Sequence, residues 1–238
     1  MKSEGVILES YLRQTDLNIS KYYVILIRNV GGDTMAFNLF KKQPKVGGEI
    51  KYYNLTEWWL NELSQEERNI IRNMYKPLMS TTLIDEGDIS YSSASVVSFL
   101  GTLSCWFKDK ENYPIGKKIY LKGEKYLTNN TNILDKHFFY LSGIRLFYSN
   151  RNNDPMALDK AVFCCQNQIA ISNEAKREFL KEYNEDSLPS HTGYKQLAII
   201  YEKEKHFADA LKITEQALAE GWNTEDCISR IEKLKKKL

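Results

Sequence analysis

Long apolar runs are absent from the sequence: no stretch approaches the roughly 20 residues that a helix needs to cross a bilayer. An excess of one charge is absent as well, because 33 lysines and arginines stand against 31 aspartates and glutamates and leave a net charge of +2. This balance provides no overall attraction to nucleic acid or to an anionic membrane. Near the start, Glu4, Glu9 and Asp16 interrupt the apolar core that a signal peptide requires. We therefore expect a cytoplasmic protein without membrane association, and nucleic acid is not expected as a partner.

Cysteine and histidine are scarce. The cysteines are Cys105, Cys164, Cys165 and Cys227, and they form no C-x-x-C pair. Adjacent cysteines on one helix point in different directions, so a shared zinc ion is not expected. The histidines are His137, His191 and His206; the sequence contains no H-E-x-x-H motif, no G-x-S-x-G motif and no P-loop. We expect no catalytic residue, no cofactor and no metal, although two carboxylates that folding brings together would be invisible in one sequence.

The chain has 238 residues, of which 42% are hydrophobic and 27% are charged. This length and composition suit one large globular domain or two small ones, with a substantial core.

The N-terminal region allows two interpretations. The apolar run at residues 22–27 is followed by Gly31-Gly32-Asp33, which could turn it back as a hairpin against residues 36–40. Alternatively, the codons of this Gly-Gly-Asp triplet can contain a bacterial ribosome-binding signal, which would make Met35 the start if the source is bacterial. We predict an N-terminal extension over residues 1–34, translated leader on the second interpretation. Residues 35–53 mix Lys, Pro and Gly-Gly without periodicity and predict a linker.

A helical region is predicted over residues 54–128. Ser64 and Glu67 form a capping box at the start of one of its helices. Residues 94–107 are apolar nearly all round and predict a buried central helix, and residues 115–128 predict an amphipathic one.

Two helix pairs are predicted over residues 129–238. The first pair runs from 133 to 150 and from 154 to 171, where Asp154-Pro155 is a helix start signal. The second runs from 190 to 205 and from 207 to 220, with Gly221 as the stop, and Asn223 or Thr224 caps a last helix.

The second pair resembles a tetratricopeptide repeat, a unit of two helices. The first of its helices carries Tyr194, Leu197, Ala198 and Tyr201, and the second carries Phe207, Ala210, Ala217 and Leu218. The alanines are small where the helices cross. The segment departs from the family pattern after the second helix, where Gly221-Trp222 replaces the usual proline.

The first pair resembles the same unit more weakly. Gly143 is the small residue expected where the two helices cross, and Ala161 is its small counterpart on the second helix. Gln168 stands where a further small residue is expected. The resemblance implies an all-α, TPR-like solenoid of antiparallel helix pairs with a degenerate N-terminal helical region and a C-terminal capping helix.

The resemblance also implies a function. Tetratricopeptide proteins mostly bind proteins or peptides along the face made by the first helices of their pairs, so we expect a non-catalytic adaptor or regulator. The alternative is an assembly subunit that packs against its own copy or within a larger complex. By register, the predicted partner-binding groove consists of His137, Tyr140, Ile144, Phe147, Thr192, Lys195, Ile199 and Glu202. Ile144 and Phe147 are alternatively core residues beneath the segment 172–183.

Overall fold

The computed structural model describes residues 22–28, 34–41, 45–78, 82–183, 188–222 and 224–238. The chain divides into two compact units, one ending at Gly47 and the other running from Gly48 to Leu238. The predicted turn at residues 31–33, the first 21 residues and the cap at Asn223 lie outside the described residues.

The first unit contains a β-hairpin. Strand β1 (Tyr22–Arg28) pairs antiparallel with strand β2 (Thr34–Lys41). Ile27 lies opposite Met35, and the register shifts between Tyr23 and Val24. Aromatic and β-branched residues favour strands over helices, which explains why this run is extended. The hairpin interpretation of this region is therefore confirmed, and the hairpin stands apart from the helical part of the chain. Met35 as a start stays a prediction.

Among the residues that the structure describes, the regular elements of the second unit are all α-helices. Its helices are α1 (Gly48–Tyr52), α2 (Thr56–Asn61), α3 (Gln65–Met74), α4 (Val96–Cys105), α5 (Tyr113–Glu124), α6 (Ile133–Ser149), α7 (Ala157–Ala170), α8 (Ser172–Tyr183), α9 (Thr192–Lys203), α10 (Phe207–Ala219) and α11 (Thr224–Lys235). For this unit the all-α prediction is confirmed.

The predicted linker over residues 35–53 is wrong at both ends, because it contains most of β2 and all of α1. Gly48 has a φ of +55°, and a Cβ at this position would collide with the backbone of Ile84. Its N–H donates to the carbonyl of Gly87 at 2.8 Å, and Ile50 is fully buried. A glycine that permits this close approach, followed by one apolar anchor, thus attaches α1 to the helical unit.

The capping box at the start of α3 is confirmed: the Ser64 hydroxyl accepts from the Glu67 N–H at 3.1 Å, and Glu67 accepts from the Ser64 N–H at 2.8 Å. The following loop is held by Asp85, which accepts from Trp59 Nε1 at 3.1 Å and from Arg72 at 2.6 Å. Its carboxylate therefore fixes the loop to α2 and α3.

The centre of the helical unit is α6, which packs against α4, α5, α7, α8 and α9. Helix α4, the predicted buried central helix, is buried on much of its surface. It packs mainly against α5 and α6, and its Phe99 also stacks on Tyr53 at 4.7 Å. Where α6 crosses α7, a Cβ on Gly143 would lie 2.6 Å from the sulfur of Cys164. Gly143 is thus small because the crossing requires it. Cys164 and Cys165 are both fully buried here.

A buried amide connects the two predicted helix pairs. Gln168 on α7 is fully buried; its Nε2 donates to the His137 carbonyl on α6 at 3.0 Å, and its Oε1 accepts from the Gly193 N–H at 2.6 Å. The larger side chain found where a small one was expected therefore bonds to both α6 and the start of α9.

The pair formed by α9 and α10 places its small residues as expected. Ala198, Ala210 and Ala217 are all buried, with exposed fractions of 1%, 0% and 1%. Ala208, one residue into α10, is exposed. The predicted burial of Ala198 is confirmed.

Replacing Ala198 with leucine should overpack the α9–α10 crossing and lower the free energy of unfolding by about 1–3 kcal/mol. The matched control, Ala208→Leu on the exposed face, should change it by less than about 0.5 kcal/mol. Urea denaturation of both variants measures the difference. Equal losses of unfolding free energy would contradict the assignment of Ala198 to the crossing and of Ala208 to the exposed face.

Candidate functional site

The predicted groove residues of the first pair are His137, Tyr140, Ile144 and Phe147, all on α6. His137, Ile144 and Phe147 are buried, with exposed fractions of 3%, 1% and 1%, and Tyr140 is half-buried. The reason is the central position of α6, whose side chains face the helices around it. Phe147 packs edge-on against Tyr120 of α5 at 5.1 Å. The core interpretation of Ile144 and Phe147 is therefore correct, although α5 rather than α8 covers Phe147.

The predicted groove residues of the second pair are Thr192, Lys195, Ile199 and Glu202, all on α9. Lys195 Nζ lies 2.7 Å from a carboxylate oxygen of Asp226, and Glu202 accepts from Arg230 and lies 3.6 Å from Lys237. These three partners belong to α11 and the residues after it. A cavity of about 10 Å³ remains between α9, α10 and α11, which suffices for one water at most. An open groove across both pairs is therefore wrong.

A different surface of the unit is open and apolar. A cavity of about 310 Å³ lies between α5 and α7. Three large apolar side chains line it and stay exposed: Met156 at 64%, Phe163 at 44% and Leu121 at 38%. Phe147, one of the predicted site residues, lines it as a buried side chain. We call this surface the α5–α7 groove; its remaining lining residues are Lys117, Asp154, Asp159 and Lys160.

The α5–α7 groove exists because α7 carries an apolar residue out of phase with its buried stripe. That stripe consists of Ala157, Ala161, Cys164, Cys165 and Gln168. Phe163 falls outside it, on the same side of the helix as Met156 and Lys160. An apolar residue out of helical phase was therefore the sequence signal for this site. The predicted groove follows the first helix of each pair and so does not include Phe163.

One end of the groove is fixed by the carboxylate of Asp154. It accepts from the Tyr113 hydroxyl at 2.7 Å and pairs with Lys117 at 2.6 Å, both on α5. It also accepts from the Met156 N–H at 2.9 Å and so caps the turn before α7, which begins three residues later than predicted. The bond from Lys117, with that from Tyr113, lowers the pKa of Asp154 to about 2. Asp154 is therefore ionised at neutral pH and joins the two walls.

The other wall contact is an ion pair. Lys160 Nζ lies 2.6 Å from Glu124 on α5 and 4.7 Å from the centre of the Phe163 ring. Asp159, an exposed residue on the same rim, makes no hydrogen bond or ion pair with any residue that the structure describes. The rim thus has two lysines with carboxylate partners and one carboxylate without a cation.

A second cluster combines two histidines with aromatic rings. The rings of His137 and His191 lie 5.1 Å apart, and those of Phe179 and Trp222 lie 5.2 Å from His137 and 4.8 Å from His191 respectively. Burial lowers the pKa of His137 to about 4 and that of His191 to about 3, where the charge of His137 adds to the effect. Both imidazoles are neutral and enclosed at pH 7, so this cluster packs the helices rather than meeting a substrate.

Within the described ranges, no group of three or more His, Cys, Asp or Glu residues is arranged to hold a metal ion. None of the helices described above is long and apolar enough to cross a membrane. No family model matches the chain, and no curated protein and no solved structure matches it either.

The buried histidines predict acid sensitivity of the fold. The pKa of a histidine is about 6.5 in the unfolded chain, and the pKa values of His137 and His191 are lower in the folded chain. The unfolded state therefore binds more protons in acid, and the free energy of unfolding decreases as the pH is lowered through 6.5. Between pH 7.5 and 5.0 each histidine should remove about 2 kcal/mol of unfolding free energy. Melting temperatures at pH 7.5 and 5.0 measure this loss.

The variant His137→Gln should lose about half of this pH dependence, whatever its stability at pH 7.5. His206→Gln is the control, because His206 is exposed and should leave the dependence unchanged. An undiminished decrease in His137→Gln would place the acid sensitivity in other groups.

Proposed function

We propose that this protein is a non-catalytic, cytoplasmic adaptor or regulator that binds a protein or peptide partner, and that its helix pairs form a tetratricopeptide-like array. The α5–α7 groove is the binding site. The observation that carries the proposal is the exposure of three large apolar side chains, Leu121, Met156 and Phe163, around one cavity. Contiguous exposed apolar surface with a polar rim is typical of interaction sites.

The chemistry of the groove supports binding rather than catalysis. Its charged side chains are either engaged in ion pairs between the walls, as with Lys117 and Lys160, or exposed to solvent, as with Asp159. A general acid or base requires a pKa near the working pH. Asp154, with a pKa of about 2, stays ionised instead and holds the walls together.

The position of the groove allows a partner to bind there without breaking contacts between the helices. Along the predicted groove of the first helices, Ile144 and Phe147 of α6 are buried, and Lys195 and Glu202 of α9 are paired with side chains of α11. The α5–α7 groove lies on the second helix of the first pair and needs no rearrangement of these contacts. A preformed site requires less ordering on binding.

Affinity capture from a lysate of the native host tests this proposal. The variant carrying Met156→Ser and Phe163→Ser should lose the partners that the wild-type chain captures by at least about tenfold, since about 1.4 kcal/mol of lost apolar contact has this effect. Tyr91→Ser, which removes an aromatic ring that is 78% exposed and lies outside the groove, is the matched control and should capture normally.

Met156 is 64% exposed and Phe163 44%, so the melting temperature of the double variant should change little. Partners captured equally by the wild type and the double variant would exclude this groove as the binding site. A concentration-dependent dimer of the wild type that the double variant abolishes would instead identify an assembly subunit.

A further inference from the structure

We propose that the segment bound in the α5–α7 groove is an amphipathic helix that inserts two large apolar side chains between α5 and α7 and places a lysine or arginine opposite Asp159. This inference rests on the proposed function and names the chemistry of the partner. It follows from the charges of the rim, the backbone of the walls and the shape of the apolar surface.

The charges of the rim decide which flanking residue a partner carries. Lys117 and Lys160 are 2.6 Å from the carboxylates of Asp154 and Glu124, so their charges are already compensated. Asp159 is the rim charge that has no counter-ion among the described residues. A basic side chain of the partner can form an ion pair with Asp159, whereas an acidic side chain is repelled by it.

The walls decide the conformation of the partner. Both are α-helices, whose interior N–H and C=O groups bond within their own helix. An extended peptide would therefore find no sheet edge with which to pair its backbone. A helical segment satisfies its own backbone groups and presents only side chains to the groove.

The apolar surface of the groove determines which side chains the partner inserts. Met156 and Phe163 line one wall and Leu121 the other, above the buried ring of Phe147. A helix presents side chains four residues apart on one face, and a cavity of about 310 Å³ has room for two leucine-sized groups. The partner thus carries apolar residues at positions i and i+4 and a basic residue about one turn away.

Three fluorescein-labelled 18-residue peptides test this inference by fluorescence anisotropy. Each has an alanine- and glutamine-based helical sequence with two leucines four residues apart. The first carries arginine one turn beyond the leucines, the second carries glutamate there, and the third carries arginine plus a central proline that disrupts the helix.

The wild-type chain should bind the arginine peptide about fivefold more tightly than the glutamate peptide, and the difference should shrink in 1 M NaCl because salt screens exposed charges. Asp159→Lys should reverse the order of the two peptides. Met156→Ser with Phe163→Ser should weaken both by at least tenfold, and Tyr91→Ser should leave both unchanged. The proline peptide should bind at least tenfold more weakly than its parent.

Equal affinities for the arginine and glutamate peptides, or an order that Asp159→Lys leaves unchanged, would overturn the basic contact. A proline peptide that binds as tightly as its parent would overturn the helical conformation. Dimerisation of the wild type through Phe163 in sedimentation would identify a second copy as the occupant and overturn the inference. Lysate capture with the double serine variant decides the proposed function separately, since neither serine changes the charge of the rim.

Discussion

One buried amide determines how the two helix pairs meet. Gln168 lies on α7, donates to the carbonyl of His137 on α6 and accepts from the N–H of Gly193 at the start of α9. A buried primary amide without partners costs about 1–3 kcal/mol, so alternative placements of α9 that break these bonds are disfavoured. Next to this junction, His191 Nδ1 caps α9 by accepting from the Tyr194 N–H. The packing of Trp222 and Phe179 around the histidines follows from this position of α9.

The same junction explains why the open apolar surface lies on α5 and α7. With α9 fixed against α6 and α7, and α4, α5 and α8 around the remaining sides, α6 lies at the centre of the unit. Its side chains Phe139, Ile144, Leu146 and Phe147 are buried there. On α9, the charged residues that would face a partner, Lys195 and Glu202, are paired with α11. The second helix of the first pair keeps one side uncovered, and its out-of-phase Phe163 makes that side apolar.

The parts of this fold that the sequence predicts are those set by neighbours along the chain. Ser64 and Glu67 are three residues apart and close their capping box, and the spacing of Ala198, Ala210 and Ala217 identifies the α9–α10 pair. The site depended on distant residues instead. Lys195 and Asp226 are 31 positions apart, and Tyr113 and Asp154 are 41 apart. No local pattern could therefore show that Lys195 would pair with α11, or that Asp154 would join α5 to α7 at the α5–α7 groove.

The position of the cysteines has a practical consequence for following motions of α7. Cys164 and Cys165 are enclosed by α5, α6 and α7, and burial raises the pKa of the Cys164 thiol to about 12. Alkylating reagents attack the thiolate, so both sulfurs are protected as long as the helix stays closed. Cys105 is partly exposed and should react first. Once Cys105 is blocked, the slow alkylation of Cys164 and Cys165, told apart from that of buried Cys227 by peptide mapping, reports the local opening of α7. This helix forms one wall of the groove.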